Sequence, residues 1–168
     1  MKAAATFRYG TSDDIEQIMK VTLNAYMQFR NVISDENARV WEESHGYEIT
    51  YKELFLIARC FVSDYKGKIV GSAFLIPHGN PDKWFQSDWA YIRLVAVHSD
   101  YKGKGIGKQL IQLCIDAATS AGEKTIALHT SEFQNAARHI YESMGFIKLM
   151  DLELMFGKQY YLYTLRLQ

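Results

Sequence analysis

One stretch constrains this chain more than any other: Leu94-Val95-Ala96-Val97-His98-Ser99-Asp100-Tyr101-Lys102-Gly103-Lys104-Gly105-Ile106-Gly107-Lys108. It reads as a buried strand, a short turn with alternating glycines, and the first turn of a helix. A helix N-terminus presents backbone N–H groups with no intrahelical partner and about half a positive charge. Glycines remove the Cβ atoms that keep an anion away from those groups, and Lys102, Lys104 and Lys108 add to the positive field. The physical reading is a cradle for a pyrophosphate; the alternative is a glycine-rich turn that merely joins a strand to a helix. A Walker loop needs G-x-x-x-x-G-K-[ST], but Gln109 follows Lys108 and Lys102 stands where the first glycine belongs. A dinucleotide fingerprint needs G-x-G-x-x-G early in a βαβ unit, whereas this chain carries G-x-G-x-G well past its middle.

The flanking elements set the fold class. Phe7-Arg8-Tyr9 predicts a strand, and Thr11 or Ser12 caps a helix carrying Ile15, Ile18, Met19, Thr22, Leu23 and Tyr26 at helical spacing. Asp35 to Glu43 predicts a second helix with Val40 and Trp41 on its buried side, and Tyr47 to Ala58 leans towards a third. Cys60–Ser63 and Lys68–Ile76 are β-rich runs joined by Asp64-Tyr65-Lys66-Gly67, a hairpin signature. Trp89 to Val97 is apolar apart from Arg93 and predicts a central strand. After the glycine turn, Ile106, Leu110, Leu113, Cys114 and Ala117 form a helical stripe that Gly122 ends. Thr125–Leu128 is a strand, Asn135–Met144 a helix closed by Gly145, and Phe146–Leu154 with Gln159–Leu167 a last hairpin about Phe156-Gly157. Strands and helices so mixed predict an α+β sheet flanked by helices, as a single domain over residues 1–168.

Charge excludes some functions. Lysine plus arginine and aspartate plus glutamate are 19 each, without the basic excess from which nucleic-acid binders draw their affinity. Cys60 and Cys114 sit in apolar surroundings and suggest neither a disulfide framework nor a metal site. Met1 to Gly10 has no apolar signal region, and no apolar run approaches the roughly 20 residues that span a bilayer. The expectation is a soluble cytoplasmic protein with no metal, nucleic-acid or membrane partner.

Lys102-Gly103-Lys104-Gly105-Ile106-Gly107 resembles [RQ]-x-x-G-x-[GA], the acetyl-coenzyme A loop of the GNAT N-acetyltransferase superfamily, with lysine in the first place. Downstream, Ala137, Tyr141, Gly145 and Phe146 match N-x-x-A-x-x-x-Y-x-x-x-G-F, while the asparagine slot falls on Gln134, with Asn135 beside it. The resemblance implies a mostly antiparallel sheet with a splayed, bulged central strand. It implies that Val95, Ala96 and Val97 pair with the pantetheine arm, and that backbone amides of Lys102, Gly103, Lys104, Gly105, Ile106, Gly107 and Lys108 hold the pyrophosphate. Gln134 or Asn135 would contact the carrier, and Tyr141 would protonate the leaving sulfur. The bland alternative for Tyr141 is a core tyrosine stacked on Ala137.

For the acceptor, the resemblance implies a primary amine of a small molecule and a pocket lined by Tyr26, Phe29, Trp41 and Tyr91. Arg93 either faces that acceptor, favouring a carboxylate-bearing or neutral molecule, or pairs with an acid, of which Asp88 is the nearest in sequence. His98 follows the expected bulge and is either a proton relay or a surface histidine. The alternatives are protein Nα- or lysine acetylation and a non-catalytic acyl-CoA sensor. The apolar last strand also suggests pairing with a second copy as a homodimer.

Overall fold

A computed structural model describes residues 4–168; residues 1–3, and with them the start of the leader reading and of the 1–168 domain, lie outside the described residues. The strands are β1 (Thr6–Tyr9), β2 (Arg59–Tyr65), β3 (Lys68–Ile76), β4 (Ala90–Val97), β5 (Thr125–Ser131), β6 (Ile147–Asp151) and β7 (Tyr160–Arg166). They form one sheet in the order β1-β2-β3-β4-β5-β7-β6, antiparallel throughout except between β4 and β5. The helices are α1 (Ile15–Met27), α2 (Asp35–Gly46), α3 (Glu48–Ile57), α4 (Ile106–Ser120) and α5 (Asn135–Ser143). The α+β architecture is the one that the order of elements predicts.

Local chemistry explains most of these boundaries. Lys66 and Gly67 both take positive φ, 55° and 82°, the two-residue turn whose twist suits a hairpin. The Gly67 N–H donates to the Asp64 carboxylate at 2.7 Å. Thr11 caps a 3₁₀ turn, Ser12–Asp14, that leads into α1. The Asp14 carboxylate accepts from the Thr11 N–H at 2.9 Å and from both ends of the Arg8 guanidinium at 2.8 and 2.9 Å, and the Arg8 bonds hold it below the usual carboxylate range.

Two hydrophobic layers follow. On one face of the sheet, Ile15, Ile18 and Val21 of α1 and Tyr51 and Leu54 of α3 bury Ile69, Phe74 and Ile76. On the other, Leu110, Ile111 and Cys114 of α4 bury Val70, Ala73, Leu75 and Ile126. Helix α4 lies so close to β3 that a Cβ on Gly71 would come within 2.9 Å of Ile106.

Two expectations change. Val40 is 52% exposed, because the buried stripe of α2 runs through Ala38 and Trp41 and leaves Val40 on the opposite side. Strand β7 does not end the sheet: it is hydrogen-bonded to β5 on one side and β6 on the other. A second copy therefore cannot pair with it, and the open edges are β1 and β6. No helix among the described residues is long and apolar enough to cross a membrane.

Candidate active site

Between β4 and β5 the sheet comes apart. The two strands pair only at Ala90 with Ile126 and Tyr91 with Ala127. Ser72 of β3 faces Ala96 and Phe74 faces Arg93, so Leu94 and Val95 together oppose Ala73. This is a β-bulge, which bends a strand and leaves backbone groups unpaired. Leu94 holds φ at +52°, a conformation that costs a residue with a Cβ about 1 kcal/mol and persists only where its surroundings impose it. The Tyr26 hydroxyl donates to the Val95 carbonyl at 3.5 Å, too long to hold that acceptor firmly.

A cavity of about 610 Å³ occupies this slot and reaches both faces of the sheet, within the usual range for small-molecule sites. On the α4 side it is lined by Lys102, Gly103, Gly105, Ile106, Gly107 and Lys108. Gly103 and Gly105 have φ of +70° and +78°, and a Cβ on either would meet no protein atom within 4 Å. Gly105 is the N-cap of α4. Its carbonyl accepts the N–H of Gln109 at 3.0 Å, so the amides of Ile106, Gly107 and Lys108 precede the helix's own ladder and are free for an anion. Val95 and Val97 line the cavity; Ala96, on the alternate side of the strand, is buried and does not. Nor does Lys104, whose ammonium lies over the Tyr101 ring at 4.6 Å.

Tyr141 lines the same cavity from α5 and is 7% exposed. The chain end of α5 explains its placing. Gly145, at φ +95°, donates to the Glu142 carbonyl and Phe146 to the Tyr141 carbonyl, both at 3.1 Å. This is a Schellman closure, whose characteristic apolar contact joins the residue after the glycine to the third residue from the helix end. Here those are Phe146 and Tyr141, with ring centroids 6.0 Å apart. The Tyr141 hydroxyl makes no hydrogen bond among the described residues, and burial raises its pKa, with Cys114 adding to the shift. It is a neutral phenol with a free proton to donate.

Gln134 and Asn135 both line the cavity. The Gln134 carbonyl oxygen accepts from the Ser131 N–H at 3.1 Å, the Ser131 hydroxyl at 2.8 Å and the Thr130 hydroxyl at 3.1 Å, fixing the turn into α5. Asn135 accepts from Arg138.

On the α1–α2 side the walls are aromatic. Tyr26 and Trp41 lie 4.8 Å apart, Phe29 and Phe133 5.1 Å, and Trp41 and Phe156 5.9 Å. Tyr91 is not among the lining residues: its ring stacks on Phe85 at 4.2 Å and its hydroxyl donates to the Asn80 carbonyl at 3.0 Å. Arg93 does line the cavity, and the acid beside it is Asp82, at 3.9 Å, not Asp88. A loop folded back across the sheet supplies that partner, which sequence proximity does not reveal.

Sequence reasoning gave no role to Trp84, His45, His129, Phe133 or Phe156, all of which line the cavity. Burial, with Arg93 as the second cause, lowers the pKa of His129 to about 4, and its Nδ1 is buried without a partner. His45 Nδ1 lies 2.8 Å from the Trp41 carbonyl. For His129 the hint in the sequence was its place directly after the expected strand Thr125–Leu128. His98 lies outside the cavity, its ring nitrogen accepting from the Asp100 N–H at 3.3 Å.

Known proteins share this fold. The PaiA N-acetyltransferase from Thermoplasma acidophilum, solved in complex with coenzyme A, superposes with a TM-score of 0.80 over 98% of this chain and 99% of its own, at 13% identity, which speaks for the fold alone. The probable N-acetyltransferase camello of Xenopus tropicalis is 34% identical over 90 residues, 53% of this chain and 39% of that protein. N-alpha-acetyltransferase 30 of Saccharomyces cerevisiae is 41% identical over 59 residues, 35% of this chain and 34% of its own. The matched stretches thus span less than half the length of these curated relatives. The model of the Acetyltransferase (GNAT) family matches residues 26–146, which hold the bulged strand, the glycine turn and the helix of Tyr141. With that match, over most of its length, the chain belongs to the GNAT acetyltransferase family.

Proposed function

We propose that this protein transfers the acetyl group of acetyl-coenzyme A to the primary amine of a small molecule. One observation carries the reading: free helix amides behind two left-handed glycines open into the same cavity as an unpaired phenol and a bulged strand. A diphosphate suits the amides of residues 106–108, with Lys102 and Lys108 flanking it. The unpaired backbone at Leu94 and Val95 suits an extended amide-bearing arm, which a strand edge binds through its main chain. Bound there, acetyl-coenzyme A supplies an activated thioester.

A neutral amine nitrogen attacks the thioester carbonyl carbon, the C–N bond forms and the C–S bond breaks. Tyr141 gives its proton to the departing sulfur, whose conjugate acid resembles a cysteine thiol. The nitrogen sheds its extra proton to water, and a proton from water restores the phenol. The products are the N-acetyl amine and the free thiol. Buried free thiols at Cys60 and Cys114 suit a reducing cytoplasm.

The yeast relative's printed name favours a second reading, acetylation of protein N-termini. Against it stands the chamber walled by Tyr26, Phe29, Trp41, Phe133 and Phe156, which suits a small apolar group better than an extended polar chain. Thiol release on a panel of amines and N-terminal peptides separates the two: turnover of small amines is expected, and turnover of peptides alone would reverse the assignment. Calorimetry is expected to show acetyl-coenzyme A binding that Gly105→Val weakens at least tenfold. Unchanged affinity in that variant would remove the cradle from the mechanism, and binding without thiol release on any amine would make the protein a sensor.

A further inference from the structure

The acceptor chamber itself carries a chemical signature. Among the described residues no aspartate or glutamate lines the cavity; Arg93 does, and Lys102 and Lys108 line only its diphosphate end. A polyamine or a lysine-rich tail brings several positive charges, and nothing here would hold the ones that do not react. The guanidinium of Arg93 donates no hydrogen bond among the described residues. Asp82 at 3.9 Å is beyond hydrogen-bond reach, and the two side chains are 38% and 33% exposed. The guanidinium offers a fork of donors whose geometry matches a carboxylate. A neutral amine that filled the chamber would strip water from those donors and return nothing, which costs binding energy.

Position narrows the class further. Arg93 directly precedes the bulge at Leu94 and Val95, where the sheet opens towards Tyr141. A carboxylate held on Arg93, beside that opening, suits an amine whose nitrogen lies close to its carboxylate. An α-amino acid has that spacing. Beyond Arg93 the walls are Tyr26, Phe29, Trp41, Phe133 and Phe156, a place for a flat or bulky apolar group. We infer that the acceptor is a free α-amino acid with an aromatic or large apolar side chain, held by its carboxylate on Arg93. This rests on the acetyl-transfer reading and gives that reading its substrate class.

The test compares phenylalanine, tryptophan and leucine with their decarboxylated amines, with glycine and lysine, with spermidine and with a dipeptide amide, by thiol release under saturating acetyl-coenzyme A. Calorimetry of carrier binding runs on the same sample. The free apolar amino acids are expected to exceed their decarboxylated counterparts, and glycine and lysine, at least tenfold in kcat/KM. Arg93→Gln is expected to raise KM for the amino acid at least tenfold and to collapse the preference over the decarboxylated amine to about one, with Arg93→Lys restoring part of it. Equal or better turnover of spermidine, of the decarboxylated amines or of the dipeptide amide overturns the inference and leaves acetyl transfer standing. A preference for the carboxylate that survives Arg93→Gln also overturns it. Carrier binding with no thiol release from any amine defeats acetyl transfer and this inference together.

Discussion

At the scale of single residues, a buried phenol and a half-buried imidazole face the same cavity. Tyr141 is kept protonated by burial and its hydroxyl has no hydrogen-bond partner to lose among the described residues, so Tyr141→Phe removes a proton donor and little else. Its kcat is expected to fall by about 10²- to 10⁴-fold, with the melting temperature and carrier affinity of the wild type. Full turnover in that variant would return Tyr141 to the role of a core residue. His129 is the converse, a base held neutral. Its folded pKa, about 4, lies below the unfolded value, so between those two values the unfolded chain binds the extra proton. Stability is therefore complete above pH about 6.5 and declines as pH falls towards 4, by up to about 3 kcal/mol. His129→Asn should flatten that part of a urea-denaturation profile; a profile as steep as wild type would assign the acid sensitivity elsewhere. The place of Tyr141 ahead of the helix-closing glycine was legible in the sequence because its spacing to Gly145 and Phe146 is local. Arg93's partner Asp82 was not, because loop and strand meet only in the folded chain.

At the scale of elements, the spacing from Tyr141 to Gly145 and Phe146 has a mechanical meaning. A left-handed glycine and the residue after it close the helix, and that closure fixes the tyrosine. Gly145→Ala puts a Cβ into the left-handed region, 3.4 Å from Leu165, and should cost about 1–2 kcal/mol in urea denaturation. Because the same turn sets the Tyr141 carbonyl, kcat should fall further than the lost stability alone explains. An unchanged kcat would mean that α5 holds its tyrosine without the cap. Such closures, the Lys66-Gly67 hairpin and the strand before the glycine turn could all be read from sequence, since each depends on a few adjacent residues. The side of α2 that is buried could not. Val40 and Trp41 are neighbours in sequence, but only Trp41 follows Ala38 by a helical step of three.

At the scale of the whole molecule, the sheet is two sheets joined by two residue pairs, Ala90 with Ile126 and Tyr91 with Ala127. In the order β5-β7-β6 the β6–β7 hairpin was legible, but the pairing of β7 with β5, which inserts the last strand between its predecessors, is long-range and left no trace in the sequence. A ligand lying in the slot adds a bridge that the protein alone lacks. Acetyl-coenzyme A at a hundred times its Kd should add about 2.7 kcal/mol of stability, visible as a rise of several degrees in melting temperature. Amide exchange should slow most at residues 94–97; slowing spread evenly over the chain would argue against binding in the slot. There is a practical corollary for anyone handling the protein. Thermal breathing of an apo sample is expected to start along the seam between β4 and β5, where it would uncover the apolar interior on either side of β4. Losses during concentration and storage should therefore begin at that seam, and a carrier added at the first purification step should keep it shut.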